Sequence, residues 1–253
     1  FVLIIVIVVA VLQQITGINS VFFYAPMIFE QAGGGTDAAF KQAIIVGITN
    51  LIFTIVAMSV IDSLGRKKLL AIGVSGIALF MFLIGYGFSK ANYELKSENI
   101  AAMTIDVDKD KLMTIADSPF ENDVAYKNAL IDVLGKETAK RYESELITGA
   151  IEINATLILI GIIGFIASFA ISLGPVMWVL FSELFPMSIK AIAISFVGFI
   201  NSMVSAGVQS IFPWELSTLG SSLTFTIYGV FAAIGLVFII KYIPETKGKT
   251  LEQ

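Results

Sequence analysis

The sequence predicts an all-α integral membrane protein with six transmembrane helices. Hydrophobic residues make up 57% of the 253-residue chain, only 14% of residues are charged, and the mean hydropathy is +0.88. A soluble domain has about 45–50% apolar and about 25% charged residues. Six stretches also contain the roughly 20 mostly apolar residues that cross a hydrocarbon core. They cover residues 1–29, 43–61, 69–88, 155–184, 189–212 and 223–243.

The first span is apolar at both ends but carries amide side chains near its middle. Gln13 and Gln14 precede Thr16 and Gly17, and Asn19 follows them. An amide in hydrocarbon is costly unless it meets hydrogen-bond partners or faces a cavity. Glycine loosens a helix and lets its backbone approach a ligand. The pattern predicts a membrane helix with a polar middle that faces a substrate.

Three other spans add polar or aromatic residues at membrane depth. Asn50 lies in the second span and Asn201 in the fifth, while Trp178 follows the Gly174-Pro175 pair in the fourth. Amides donate and accept hydrogen bonds, and an indole offers a flat apolar face. This set suits a neutral, polyhydroxylated ligand such as a sugar. Two alternatives stay open: a lone amide more often links helices to each other, and Trp178 is compatible with simple core packing.

The long segment 90–148 is the one hydrophilic stretch of any size. It contains eight basic and twelve acidic residues. Ser118, followed by Pro119 and Glu121, predicts the start of a helix. Helices are then expected over 125–134 and 137–146, separated by Gly135. We interpret the segment as a solvated external insert.

Basic residues in the short loops set the predicted orientation. Seven of the 16 Lys and Arg residues lie in the loops after the second and fourth spans and in the C-terminal tail. These segments share one side if every helix crosses once, and positive charge marks the cytoplasmic side. We therefore expect a multi-pass protein of the cell membrane, plasma membrane or bacterial inner membrane, with these loops and the tail in the cytoplasm. The seven residues are Arg66, Lys67, Lys68, Lys190, Lys241, Lys247 and Lys249.

Composition also excludes several function classes. The chain has no histidine and no cysteine, so catalytic Ser-His-Asp or Cys-His pairs and thiolate metal sites are ruled out. No phosphate-binding GxxxxGK[ST] motif is present. A net charge of −4 without a basic cluster argues against a nucleic-acid partner. We expect no enzyme activity, no cofactor and no metal site, with the lipid bilayer and a small-molecule sugar as partners.

Four motifs, taken together, resemble those of the sugar porters of the major facilitator superfamily. They are similar to the family's seventh helix, to its D-x-x-G-R-[RK] loop, to its tenth helix and to the segment after its twelfth helix. Within the family, the bacterial D-xylose–proton symporters are the most similar group. In this chain the motifs are QQITGIN at 13–19 with Phe23-Tyr24, DSLGRK at 62–67, GPVMW at 174–178 with SELFP at 182–186, and PETKGKTLE at 244–252.

The resemblance implies roles for individual residues. Amides at Gln13, Gln14, Asn19, Asn50 and Asn201 would hydrogen-bond sugar hydroxyls, and Trp178 would pack on the sugar where Gly174 lets the chain approach it. Phe23 and Tyr24 would close the outer side, although the family often has Tyr in place of Phe23. Ser202 stands where the xylose symporters have a second tryptophan, so the preferred sugar is left open. A cytoplasmic network that latches the outward-facing state would contain Asp62, Arg66, Lys67, Glu183, Lys190 and Glu245.

The resemblance also implies that this chain is one half of a larger protein. Sugar porters have twelve helices in two six-helix halves around a central site. Phe1 opens directly inside an apolar run, so we expect a longer protein in which the missing N-terminal half supplies the other wall of the site. The implied function is monosaccharide transport by alternating access, as proton-coupled symport. The alternatives are a non-transporting sugar sensor of the same fold and a stand-alone six-helix scaffold or homodimer.

Overall fold

The computed structural model describes residues 2–29 and 35–247, except for the side chains of 23, 24, 26, 27, 29 and 35–40. The helices in these ranges are α1 (Val2–Ile15), α2 (Ile18–Phe29), α3 (Gly35–Leu64), α4 (Arg66–Ser89), α5 (Ser97–Ala102), α6 (Lys109–Met113), α7 (Asp123–Leu134), α8 (Lys136–Arg141), α9 (Glu143–Thr148), α10 (Ala155–Ala170), α11 (Pro175–Leu184), α12 (Lys190–Thr218) and α13 (Gly220–Tyr242). The strands are β1 (Asn92–Glu94), β2 (Pro119–Phe120) and β3 (Ile151–Glu152).

The six predicted spans are confirmed by six helices that are long and apolar enough to cross a membrane. Spans two, three, five and six are α3, α4, α12 and α13, whereas span one is divided into α1 and α2 and span four into α10 and α11. The predicted end of span five at Phe212 is wrong, because α12 continues through Pro213 to Thr218. Phe212 and Leu216 are both buried on this last part, which holds the helix in place beyond the proline.

Both divided spans are interrupted next to residues that favour a break, Gly17 and the Gly174-Pro175 pair. Span one is interrupted at Gly17, which has a φ of +81° that favours glycine. Span four is interrupted after α10, where α11 begins with Pro175 at its first position. Each break leaves polar backbone groups at the bundle centre, so each can supply hydrogen-bond partners to side chains.

The bundle is built around α4, which packs between α10 and α13. Small residues allow the close approach: a Cβ added at Gly73 would lie 1.9 Å from Oγ of Ser172, and one at Gly85 would lie 2.5 Å from Oγ1 of Thr226. Such contacts replace the hydrophobic driving force that is missing between helices in lipid. By contrast, α3 and α12 are the spans least buried within this chain.

The insert between α4 and α10 has a hydrophobic core of its own. Strand β1 is the centre of a three-stranded antiparallel sheet, where Tyr93 pairs with Phe120 on one side and Ile151 on the other. Tyr126, Leu95 and the helices α5–α9 pack around this sheet. Because β3 belongs to the sheet, the insert extends to Glu152 rather than ending at the predicted residue 148.

The predicted helix start at Ser118 is wrong. Pro119 and Phe120 pair with β1 as a strand, and α7 begins at Asp123 with Asn122 as its N-cap. The Oδ1 atom of Asn122 accepts a hydrogen bond from the Ala125 N–H at 2.9 Å. The predicted separation at Gly135 is confirmed, although the second predicted helix is itself divided into α8 and α9.

The insert is also tied to the bundle through α7. Asp123 is buried, and its Oδ2 accepts hydrogen bonds from the backbone N–H and the hydroxyl of Ser221, both at 2.9 Å. Gly220 has a φ of +81°, and a Cβ there would lie 2.5 Å from the Asp123 carboxylate. The insert therefore docks on the junction of α12 and α13.

Candidate functional site

Four amide side chains meet where α1, α2 and α12 approach each other. Gln13 and Gln14 lie in the last turn of α1, Asn19 lies in the first turn of α2, and Asn201 lies in the middle of α12. We call these four residues the amide cluster. Gln13, Gln14 and Asn201 are buried, and Asn19 is half-buried.

Asn201 joins α12 to α1 through three hydrogen bonds. Its Nδ2 donates to Oε1 of Gln13 at 2.8 Å and to the carbonyl of Ala10 at 2.9 Å. Its Oδ1 accepts from Nε2 of Gln14 at 3.0 Å. The predicted role of amides as links between helices is therefore present in this conformation, and the predicted role as ligand contacts requires some of these bonds to exchange.

The break in span four contributes a backbone partner. Nε2 of Gln13 donates to the carbonyl of Leu173 at 2.9 Å. Gly174, the next residue, has an ordinary φ of −58°, and a Cβ there would only make van der Waals contact with Phe169. The break thus makes the Leu173 carbonyl available to the amide cluster. A Cβ at position 174 would not clash with any described residue.

Asn19 extends the cluster along α12 to residues that sequence reasoning missed. Its Nδ2 donates to Oε1 of Gln14 and to Oγ of Ser205, both at 2.8 Å. Ser205 in turn accepts from Nε2 of Gln209 at 2.9 Å. Residues 201, 205 and 209 are four apart and share one face of α12, a helical spacing that was available in the sequence.

The other predicted contacts lie apart from this network. Asn50 is half-buried and its side chain forms no hydrogen bond with any described residue, so no partner among them supports its role as a helix link. Trp178 is 41% exposed and packs edge-on against Phe181 in α11. The side chains of Phe23 and Tyr24 lie outside the described residues, although their backbone belongs to α2.

The amide cluster is uncharged and still offers free hydrogen-bond donors and acceptors to a ligand. Asn19 Oδ1 accepts no hydrogen bond from a described residue, and Gln13 uses only one of its two N–H donors there. A ligand hydroxyl can both donate to the first and accept from the second. An ionic ligand would lack a counter-charge, because the amides carry none.

A second cluster forms at the opposite end of the bundle from the insert. The Arg66 guanidinium binds Glu183 at 2.6 Å through Nη2 and binds Asp62 at 3.0 Å through Nη1. The Arg66 backbone N–H donates to Oε1 of Glu245 at 2.9 Å. We call Asp62, Arg66, Glu183 and Glu245 the ionic cluster. It joins the α3–α4 turn, the end of α11 and the segment after α13.

Backbone groups hold Glu245 in its charged form. Burial alone would raise the pKa of Glu245, but the N–H groups of Lys247, Arg66, Lys67 and Thr246 hold that pKa below its ordinary value. Gly65 has a φ of +88°, and a Cβ there would lie 2.6 Å from the Glu245 carboxylate. Glycine at this turn is what lets the carboxylate cap the start of α4.

Two predicted members lie outside the ionic cluster. Lys67 contributes its backbone N–H to Glu245, but neither its side chain nor that of Lys190 forms an ion pair with a described residue. Both oxygens of Glu183 accept hydrogen bonds from Arg66, and Oε2 also accepts one from the Thr246 hydroxyl. Thr246 is a member that the sequence analysis did not identify.

The fold defines a class: six membrane helices with the architecture of one half of the major facilitator fold. A buried, uncharged amide cluster lies between α1, α2 and α12, and charged residues connect three segments at one end of the bundle. A family model described as "Sugar (and other) transporter" matches residues 1–105 and 134–253. The chain belongs to this sugar transporter family.

Individual relatives agree in fold and in coverage. The chain is 30% identical over 250 residues to the D-xylose-proton symporter of Escherichia coli strain K12, covering 96% of this chain and 38% of that protein. It is 28% identical over 251 residues to the arabinose-proton symporter of Bacillus subtilis strain 168, covering 99% and 41%. A solved structure of a major facilitator proton:xylose symporter bound to 6-bromo-6-deoxy-D-glucose superposes with a TM-score of 0.68 at 29% identity, covering 99% of this chain and 41% of that one. The chain thus spans about two fifths of the length of these relatives.

Proposed function

We propose that this chain is the C-terminal half of a transporter that moves a pentose or hexose across the cell membrane by alternating access, as proton-coupled symport. The observation that carries the proposal is the amide cluster. It places four neutral hydrogen-bonding side chains from three helices at one buried point, next to two helix breaks. The functions of the relatives, xylose and arabinose symport, agree with a site built for uncharged hydroxyl groups.

In this proposal, hydrogen bonds from the sugar replace some of the hydrogen bonds that join the amides to each other in this structure. Gln13, Gln14, Asn19 and Asn201 contact hydroxyl groups, and Asn50 adds a fifth amide from α3. Trp178 supplies an apolar face for the sugar ring, and its partial exposure supports that role because it is not fully enclosed by its own helices. Gly174 lies beside the Leu173 carbonyl, and Phe23 and Tyr24 close the outer side.

The partner that completes the site is a second six-helix half. The faces of α3 and α12 support this proposal, because they are the least buried spans and expose large apolar side chains. The share of the relatives that this chain leaves unmatched is long enough for six further helices. We expect the second half to cover these faces rather than lipid alone. Examples of the exposed residues are Ile48, Leu51, Ile55, Phe196, Phe199 and Met203.

The ionic cluster then works as a releasable latch on the cytoplasmic side. Ion pairs at adjacent helix ends bias a two-state equilibrium and open when helices rock apart. This assignment is supported by the contacts that join the α3–α4 turn, the end of α11 and the segment after α13 at one end of the bundle. On this orientation, the insert lies on the external side.

The test is transport by the full-length protein in liposomes. Radiolabelled D-xylose, L-arabinose and D-glucose are offered with and without an imposed proton gradient. Uptake of one sugar that rises with the gradient and falls with a protonophore supports symport. Uptake that ignores the gradient would replace symport with facilitated diffusion, and absence of uptake for all three would refute monosaccharide transport.

A sensor is the second candidate, and the insert is the observation that favours it. The family model leaves residues 106–133 unmatched, and these contain α6, β2 and most of α7, which docks on the bundle. A sensor would bind sugar with no flux in the same liposomes. Calorimetric titration of the protein alongside the flux assay separates the two functions.

A further inference from the structure

One carboxylate within the described spans belongs to neither cluster. Asp62 and Glu183 are in the ionic cluster, whereas Glu215 lies near the opposite end of α12. The predicted end of span five at Phe212 would leave Glu215 beyond that span. The longer helix brings it into the bundle.

Glu215 is bound to a buried tyrosine of the neighbouring span. The Tyr228 hydroxyl donates to Oε2 of Glu215 at 2.6 Å, which is a short hydrogen bond. Tyr228 is only 3% exposed, and its ring stacks on Phe212 with centroids 6.2 Å apart. Phe212 and Glu215 of α12 therefore hold the Tyr228 ring in one orientation.

That ring lies directly on the break in span one. A Cβ added at Gly17 would lie 2.4 Å from Cδ2 of Tyr228, so the ring occupies the space that any other residue would need. Gly17 is also the residue with positive φ that separates α1 from α2. The Tyr228 ring and the helix break at Gly17 are thus in close contact.

The break sets the geometry of the amide cluster. Gln14 lies three residues before Gly17 and Asn19 lies two residues after it, yet their side chains are joined by a 2.8 Å hydrogen bond across the break. A change in the angle between α1 and α2 would move Gln14 and Asn19 relative to each other. Sugar contacts need such groups in a fixed arrangement.

We propose that Tyr228 and Glu215 are positioning residues for the sugar site: the Tyr228 ring holds the Gly17 break in shape, and Glu215 holds the ring. This inference deepens the proposed function and rests on it for the identity of the ligand. It assigns a role in substrate affinity to two residues that touch no amide of the cluster in any hydrogen bond of the described chain.

The variants separate the ring from its hydroxyl. Tyr228→Phe and Glu215→Ala each remove the hydrogen bond and leave the ring on Gly17, whereas Tyr228→Ala removes the ring. Glu215→Gln keeps an oxygen acceptor for the phenol. Tyr242→Ala, at the exposed end of the same helix, is the matched control.

Two readouts are made on the full-length protein. The first is the dissociation constant for D-xylose, L-arabinose and D-glucose by calorimetry. The second is hydrogen–deuterium exchange of the peptide covering residues 13–21, which reports the break without any sugar. We expect Tyr228→Ala to weaken sugar binding about tenfold, equivalent to about 1.4 kcal/mol, and to speed exchange at the break. Tyr228→Phe and Glu215→Ala should give smaller, equal effects that do not add in the double variant, and Glu215→Gln and Tyr242→Ala should match the wild type.

The outcomes are distinguishable. Wild-type affinity and wild-type exchange in Tyr228→Ala would overturn the positioning role while leaving the proposed function intact. Faster exchange at the break in a protein that binds none of the three sugars would overturn the proposed function and support the mechanical link from Tyr228 to Gly17. Equal loss of affinity in Glu215→Gln and Glu215→Ala would overturn the part assigned to the hydrogen bond, because the conservative variant should rescue it.

Discussion

The amide cluster and the ionic cluster both link separate helices, but they do so with different chemical groups. Each joins helices that are more than a hundred residues apart in sequence, as Gln14 does with Asn201 and Arg66 with Glu183. The amide cluster is neutral and buried at membrane depth, whereas the ionic cluster is charged and half-buried at the helix ends. The free-energy cost of a charged side chain is low only where water or backbone dipoles remain close. Amide side chains can be buried, and they can exchange one hydrogen-bond partner for a ligand. The difference predicts a ligand site at one cluster and a releasable lock at the other.

The largest effect is expected from Arg66→Ala, which removes the centre of the ionic cluster. Hydrogen bonds to charged groups contribute about 1.5–3 kcal/mol, and the substitution leaves Glu183 without its main partner. We expect that loss in the free energy of unfolding measured in SDS micelles, slower transport and unchanged sugar affinity. Lys67→Ala is the matched control, because only the Lys67 backbone contacts Glu245. A loss of sugar binding in Arg66→Ala would contradict the assignment of sugar binding to the amide cluster and of the latch to the ionic cluster.

Asn201→Ala tests the amide cluster. The substitution removes three hydrogen bonds between α1 and α12, and at about 0.6 kcal/mol for each interhelical bond the free energy of unfolding should fall by about 1–2 kcal/mol. Sugar affinity should fall as well. Asn50→Ala provides the contrast: it should weaken sugar binding with no change in stability, since the Asn50 side chain has no hydrogen-bond partner among the described residues. Equal destabilisation by both variants would mean that Asn50 is a structural link.

Acidic titration should weaken the ionic cluster and leave the amide cluster unchanged. Because the pKa of Glu245 is lowered in the folded protein, its carboxylate stabilises the fold above the ordinary value of 4.5, and this contribution is lost as the pH falls through the lower folded pKa. Glu245→Gln should cost about 1 kcal/mol at pH 7, and the difference from wild type should shrink below pH 4.5. The difference between Asn201→Ala and wild type should stay constant over the same range. Unfolding measured at a series of pH values checks both, and a pH-independent effect of Glu245→Gln would show that its charge is not what matters.

The smallest effect is expected from Asp62→Asn. The side chain of Asp62 is 84% exposed, so its ion pair with Arg66 is screened by solvent. Exposed pairs contribute about 0–1 kcal/mol, and we expect a loss at the low end of that range with sugar binding retained. Exchange transport in liposomes should slow less than in Arg66→Ala. An equal slowing in the two variants would assign Asp62 a role in the conformational change that its contacts in this structure do not explain.

The fold was largely predictable because its signals are local. Six apolar stretches predicted six spans, which the structure confirms. The two breaks lie at Gly17, where φ is positive, and at the Gly174-Pro175 pair, where a new helix begins. The errors arise where tertiary packing overrides a local signal. Ser118 and Pro119 have the pattern of a helix start, but pairing with β1 makes Pro119 a strand residue. Pro213 has the pattern of a helix end, but buried neighbours carry α12 past it.

The sequence indicated which residue types form the amide cluster, but it did not indicate their hydrogen-bond partners. Amides in a membrane helix had to meet something, and Gln13, Gln14, Asn19 and Asn201 do meet. The sequence did not reveal that the carbonyl of Leu173 and the hydroxyl of Ser205 complete the network, because neither residue is unusual in a membrane helix. Lys190 shows the converse: the resemblance to the sugar porters implied a place in the network, but its side chain forms no ion pair with a described residue.

By itself, the sequence determined the membrane class, the number of spans, the neutral character of the central site and the grouping of basic loops, since each depends on composition and on residues close together in the chain. Only the tertiary structure decided which amides bind each other, that Asp123 anchors the insert to Ser221, that Glu215 binds Tyr228, and that the Tyr228 ring packs on Gly17. These contacts join residues from separate helices. Their geometry follows from how whole helices pack, and no local pattern encodes it.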